Sequence, residues 1–310
     1  MKTYISDTDF AYYDSVLKGL PSLYETRNAA LFASDTPSKM AFRILIDTLC
    51  ADMDSNSYAH KLLFEVLDCL PSRTPCNHIC CPSCRAKKQK AQVKKALSVF
   101  EGVSNENSYF LTALMPMTPH LIEANKSIDK LRKSLRHKLR TYLKDNPNSS
   151  VSLMGAFEYD LKTINEYKVS SDRAKTLFEE LGYNPENSTP MWLPHLHAIV
   201  SPASVTEVEA IKGIVKSCLF GNEPISYAVE LKSFRSDKDV SENISEISRY
   251  MWKVRLQHSD NIFATKDGTS RAKYKSMFPS EHLCQLVNRT KSNGSFKTLK
   301  FDVINSTTKV

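Results

Sequence analysis

The run Pro194-His195-Leu196-His197-Ala198-Ile199-Val200 is the most restrictive stretch of the chain, and it reads as a strand. Side chains alternate between the two faces of a strand. His195 and His197 therefore point the same way, while Leu196 and Ala198 pack behind them into a core. Two imidazoles on one face can hold a divalent ion, with a carboxylate on a neighbouring strand as the usual third ligand. Glu158 is the best candidate, and Asp160 shares its face. A His-x-His pair is also an ordinary occupant of a half-polar strand, so its weight depends on its surroundings.

Those surroundings alternate strands and helices. Tyr109 to Leu114 is aromatic and β-prone and reads as a strand ended by Pro116 and Pro119. Residues 122–144 form an amphipathic helix with Ile128, Leu131, Leu135, Leu139 and Tyr142 in one stripe. The turn Asn146-Pro147-Asn148 leads into a second strand, 151–161, and an Asn- and Pro-rich stretch, 184–190, precedes the histidine strand. A helix over 205–220, a fourth strand over 226–234 and a further helix over 239–258 follow. Beyond Ser259 the chain is polar, and only 296–304 looks like another strand. None of the eight glycines builds a phosphate-cradling loop, which argues against ATP-driven or dinucleotide chemistry.

The first 100 residues differ. They read as mostly helical, interrupted by a cysteine-dense loop, 76–84, and followed by a basic helix over 85–100. Four of the eight cysteines fall in that loop, a clustering that points to metal rather than to cystine. Cys76, Cys81 and Cys84 are the expected ligands of a structural Zn²⁺, with Cys80, His78 or a more distant residue such as Cys69 as the fourth. Neither a targeting segment at the N-terminus nor a membrane-length apolar run is present, so the expected location is cytoplasmic. A formal charge of +8, from 42 basic and 34 acidic residues, suits a polyanionic partner. Lys130, Arg132, Lys133, Arg136 and Arg140 are the expected phosphate contacts, and Tyr142, Tyr159 and Trp192 are aromatics suited to stacking on unpaired bases.

On the helix over 239–258, spacings of three and four place Glu246, Tyr250 and Lys253 on one face. A nearby ammonium favours the phenolate, and a phenolate beside a metal-polarised phosphodiester is a nucleophile.

Taken in order, these motifs resemble the rolling-circle replication initiators of the HUH endonuclease superfamily. Phe110-Leu111-Thr112-Ala113-Leu114 is similar to the family's first strand motif, and Gly155 to Glu158 to the segment preceding the histidines. Pro194-His195-Leu196-His197 is close to the signature, and Tyr250-Met251-Trp252-Lys253 to the tyrosine motif. Cys76, Cys81-Pro82 and Cys84 match a cysteine segment of one plasmid branch, so the resemblance spans roughly 76–253. Val254 stands where the family often has tyrosine, and no second tyrosine accompanies Tyr250.

The resemblance implies an α+β fold with a central antiparallel sheet and flanking helices. It divides the chain into a helical region with a zinc loop (1–100), a nuclease domain (101–258) and a C-terminal extension (259–310). It implies a catalytic Mn²⁺ or Mg²⁺ on His195, His197 and Glu158, with Tyr250 attacking single-stranded or hairpin origin DNA. Glu246 would serve a terminating cleavage, and a host helicase and polymerase would act with the chain. A transposase or relaxase of the same superfamily, a zinc-containing DNA-binding protein without catalysis, and an Fe(II) oxygenase are the alternatives.

Overall fold

The computed structural model describes residues 75–187, 189–221, 225–254, 256–264, 270–292 and 295–305, with Leu45, Thr48, Leu49, Ala59, Lys61, Leu62, Glu65, Val66 and Cys69 before them. The expectation of helices over the first 70 residues lies largely outside these. The chain divides into a first unit, 1–47, and a second, 48–310, which carries everything below.

The elements of the second unit are α1 (Pro82–Val99), β1 (Tyr109–Leu114), α2 (Leu121–Asp145), β2 (Ser152–Lys162), α3 (Ile164–Val169) and α4 (Asp172–Glu180). They continue with β3 (Met191–Ser201), α5 (Val205–Phe220), β4 (Val229–Ser233), α6 (Val240–Met251), β5 (Gln257–Ala264), β6 (Ser270–Met277), α7 (Ser280–Ser292) and β7 (Lys300–Val303). The architecture is α+β. Five strands form an antiparallel sheet in the order β4-β1-β3-β2-β7, and β5 pairs with β6 in a separate hairpin.

The histidine strand lies at the centre of the sheet and is covered on both sides: ten of its eleven residues are buried, as are ten of eleven in β2. Helix α2 covers one face. Its stripe of Ile128, Leu131, Leu135 and Leu139 is buried, each contributing about 1.5–3 kcal/mol of apolar burial. Arg132 lies over the Phe157 ring and Arg136 over the Phe301 ring, which seats α2 on β2 and β7. Helix α6 covers the other face against β2 and β3, and α1 packs against α6. Local signals mark the helix starts. Pro82 opens α1, Ser171 caps α4, and Ser204 with Glu207 forms a capping box on α5.

Three differences from the sequence reading have physical causes. Helix α6 stops at Met251, not at 258. Beyond it Trp252, Val254 and Leu256 are buried while Lys253 is exposed. The chain turns there: the Lys253 amide donates to the carbonyl oxygen of Tyr250 at 3.1 Å, and Val254 takes a left-handed φ of 46°. The C-terminal extension does not stand apart, since β7 joins the central sheet beside β2, and the hairpin β5–β6 and α7 fill what read as polar chain. Much of the stretch between β2 and β3 folds as α3 and α4. Leu177, Phe178 and Tyr167 there pack on Leu181, Tyr183 and Leu193.

Candidate functional site

Strand register assembles the site. Glu158 of β2 is the partner of His195 on β3, while Thr112 and Leu114 of β1 are the partners of His197 and His195. Directly paired residues share a face, so all five side chains lie on the α6 side of the sheet. Gly155 lets the strands approach this closely: a Cβ there would lie 2.2 Å from the carbonyl oxygen of His197.

The three expected metal ligands converge. Nε2 of His195 is 3.2 Å and Nε2 of His197 is 3.8 Å from Oε2 of Glu158, and one ligand atom from each residue lies within 4.8 Å of the others. All three residues are buried. The far nitrogens are held by neighbours: Nδ1 of His195 contacts the carbonyl oxygen of Leu193 at 3.2 Å, and Nδ1 of His197 contacts the Thr112 hydroxyl at 3.1 Å. Such contacts fix ring orientation and aim Nε2 at a shared point. Oε1 of Glu158 is buried without a hydrogen-bond partner among the described residues. Burial pushes the His195 pKa down, but its hydrogen bond to Glu158 and the charges of Asp160 and Glu158 outweigh that and raise it. A buried carboxylate drawing cationic character onto its neighbours is an environment that a divalent cation fits. Asp160 shares the face but lies outside this group and pairs with Lys162 at 3.4 Å.

Tyr250 reaches the same point from the last turn of α6. Its ring centroid is 5.0 Å from that of His197 and 5.9 Å from that of Phe110, and Phe110 in turn stacks on His197 at 5.2 Å. Tyr250 remains 42% exposed, so a ligand can approach it from solvent. Glu246 lies one turn earlier and is hydrogen-bonded by Lys238, whose contact holds its carboxyl below the ordinary value. Lys253 is not on the helical face predicted for it: it lies exposed in the turn that follows the end of α6.

A second group of ligating side chains lies at the start of α1. Cys69, Cys76, Cys81 and Cys84 place their sulfurs within 4.8 Å of one another, with Cys69–Cys84 at 3.4 Å and Cys76–Cys84 at 3.7 Å. Cys81 is the residue preceding α1 and Cys84 lies in its first turn, so the helix start brings the two together. The hydrogen bond from Cys76 holds the Cys81 thiol down to about 5, and burial pushes Cys84 up to about 12. Four sulfurs at this spacing match a closed, four-coordinate site. The expected membership of Cys80 is corrected. Cys80 is buried outside the quartet and Cys69 takes its place. His78 is likewise elsewhere, hydrogen-bonded to Glu65. Spacing alone left this open because Cys69 arrives from an earlier segment of chain.

The expected phosphate contacts divide. Lys130, Lys133 and Arg140 are exposed, whereas Arg132 and Arg136 lie against Phe157 and Phe301. All five ride on α2, across the sheet from Tyr250. Tyr159 and Trp192 are core residues, 5% and 0% exposed, and so offer no stacking surface. The sequence reading missed the supporting roles of Thr112 and Phe110; pairing of β1 with the histidine strand was the signal that would have found them. No protein-family model, curated protein or solved structure matches the chain.

Proposed function

We propose that the chain nicks single-stranded DNA through Tyr250 with the help of a divalent metal, as a rolling-circle replication initiator with an HUH-type sheet. The observation that carries this reading is the Tyr250 ring packed 5.0 Å from His197, at the open side of the group formed with His195 and Glu158. A lone metal site would need no exposed phenol there. A tyrosine in a helix would not, by itself, need two buried histidines.

His195, His197 and Glu158 would hold the ion, and their mixed nitrogen and oxygen donors suit Mn²⁺ or Mg²⁺. When bound, it would polarise the scissile phosphate. Tyr250 supplies the nucleophile: its oxygen forms a bond to phosphorus, the bond from phosphorus to the 3′ oxygen breaks, and the phenolic proton ends on that 3′ oxygen. The products are a 5′-phosphotyrosyl chain and a free 3′-OH able to prime a polymerase. Phe110 and Thr112 keep His197 oriented during the step. Glu246 can act as a base for a second cleavage only once it leaves Lys238, because that contact lowers its basicity. The cysteine quartet suits Zn²⁺ and has no open position, so its role here is to hold the start of α1.

The test incubates the protein with Mn²⁺ and single-stranded origin DNA. A covalent adduct is expected that needs the metal and falls on the order of a thousandfold or more in Tyr250→Phe. Binding without an adduct, across many sequences, would sink the catalytic reading and favour a DNA-binding protein.

A further inference from the structure

The segment between β2 and β3 packs on the histidine face of the sheet, and Leu114 and Leu193 anchor it there. Leu114 is the register partner of His195. The metal-ligand group therefore shares its face of the sheet with α6 and with the segment that carries α3 and α4. On that segment Arg173 of α4 lies over the ring of Tyr227, which just precedes β4, its guanidinium carbon 3.7 Å from the ring centroid. Tyr227 is 59% exposed, so the Arg173 contact leaves much of the side chain open to solvent. Its φ of 64° is left-handed, a conformation that a bulky aromatic rarely adopts and that structures retain mainly where it serves a purpose. The neighbouring Ala228 accepts a hydrogen bond from the Leu114 amide at 2.8 Å. The platform thus begins two strand spacings, roughly 10 Å, from His195.

We propose that Tyr227 and Arg173 form a subsite for one unpaired nucleotide flanking the reacting phosphate. The base stacks on the open face of Tyr227, and Arg173, stacked on the other face, meets the adjoining phosphate. The identity of the polymer rests on the nuclease reading above; the platform rests on its own geometry. Stacking needs only an aromatic face and tolerates any base. An arginine beneath the ring adds the positive charge that a phosphate requires. Tyr159 and Trp192 are buried and unavailable for this, so the exposed Tyr227 replaces them.

The experiment measures binding of fluorescein-labelled oligo(dT) of about 15 nucleotides by anisotropy over a salt series, with each variant's melting temperature recorded. Tyr227→Leu is expected to weaken binding on the order of tenfold without changing the salt slope, because no charge is lost. Arg173→Ala is expected to weaken binding and to reduce the slope by about 0.7, the share of one phosphate contact on a single strand. Tyr227→Trp is expected to restore affinity. Wild-type affinity in both Tyr227→Leu and Arg173→Ala, or a Trp variant as weak as the Leu variant, overturns the subsite. So does a wild-type chain that ignores oligo(dT). Because the readout is binding, the two proposals fail separately. Oligo(dT) held through Tyr227 with no adduct at Tyr250 keeps the subsite and removes the nuclease. An adduct with unchanged Tyr227→Leu affinity does the reverse.

Discussion

The two ligand groups of this chain are built in opposite ways. Glu158, His195 and His197 sit on paired strands at the centre of a sheet, where register alone fixes their spacing. The cysteine quartet draws on a helix start, the loop before it and Cys69 from an earlier segment, so no ladder holds it together. The first group offers three ligands and an exposed phenol beside them; the second offers four sulfurs. An incomplete site fixed by strand pairing suits chemistry, and a complete one drawn from separate segments suits holding those segments together. The two meet through α1: Arg85 donates to the carbonyl oxygen of Val254 at 3.2 Å, and Gln89 to that of Arg249, next to Tyr250.

Breaking the quartet should have the largest effect. Cys69→Ser is expected to abolish zinc binding and to destabilise by several kcal/mol, while Cys80→Ser keeps the metal; zinc quantitation and thermal melts separate the two. Mn²⁺ affinity should survive Cys69→Ser even as adduct formation slows, and if Mn²⁺ binding is lost as well, the two groups are not independent. Gly155→Ala attacks the other group from behind. Its Cβ would collide with the backbone of His197, so a loss of about 1–3 kcal/mol or more is expected in denaturant unfolding. Unchanged stability would mean that the strand pairing is looser than its register implies.

A milder change acts on orientation alone. Thr112→Val removes the hydroxyl beside Nδ1 of His197 and should weaken Mn²⁺ binding by roughly 10–100-fold with little change in stability. Titration of Mn²⁺ followed by electron paramagnetic resonance checks it. The smallest effect belongs to a residue remote from both groups. Burial alone would raise the Glu207 pKa, but hydrogen bonds from Ser149 and Ser204 outweigh it and hold it low. A depressed carboxyl stabilises above its unfolded pKa of about 4.3 and loses that contribution as pH falls through the folded value. Glu207→Gln should therefore lose about 1 kcal/mol at neutral pH, with the gap to wild type closing near pH 3. A gap of constant size in urea melts at the two pH values would disprove the assignment.

Much of the sheet could be read in advance. The apolar run of β3 and the stripe on α2 announced themselves because burial leaves a period in the sequence. The ligand set followed from the parity of strands, which places Glu158, His195 and His197 on one face once β2 and β3 pair. What escaped was held by other means. The hairpin β5–β6 is built by backbone pairing in polar sequence, which carries no hydrophobic period. Cys69 stood only as one of several candidates for the fourth sulfur, because spacing does not reveal the path of the segment that brings it in. The end of α6 depended on Trp252, Val254 and Leu256 being drawn inward, a tertiary demand that overrides the helical pattern continuing past Met251. The charges of α2 were visible, but the side of the sheet they occupy was not.

The register of β2 against β3 has one more consequence. Sliding β2 by one residue would face His195 with Phe157 or Tyr159, and every acid on the strand would turn to the α2 side. Sliding it by two in one direction would bring Asp160 opposite His195, a carboxylate again. The strand pair therefore behaves as a parity check on its own alignment. Odd errors remove the carboxylate from the face of the two histidines, while one of the two smallest even errors substitutes a shorter acid for a longer one.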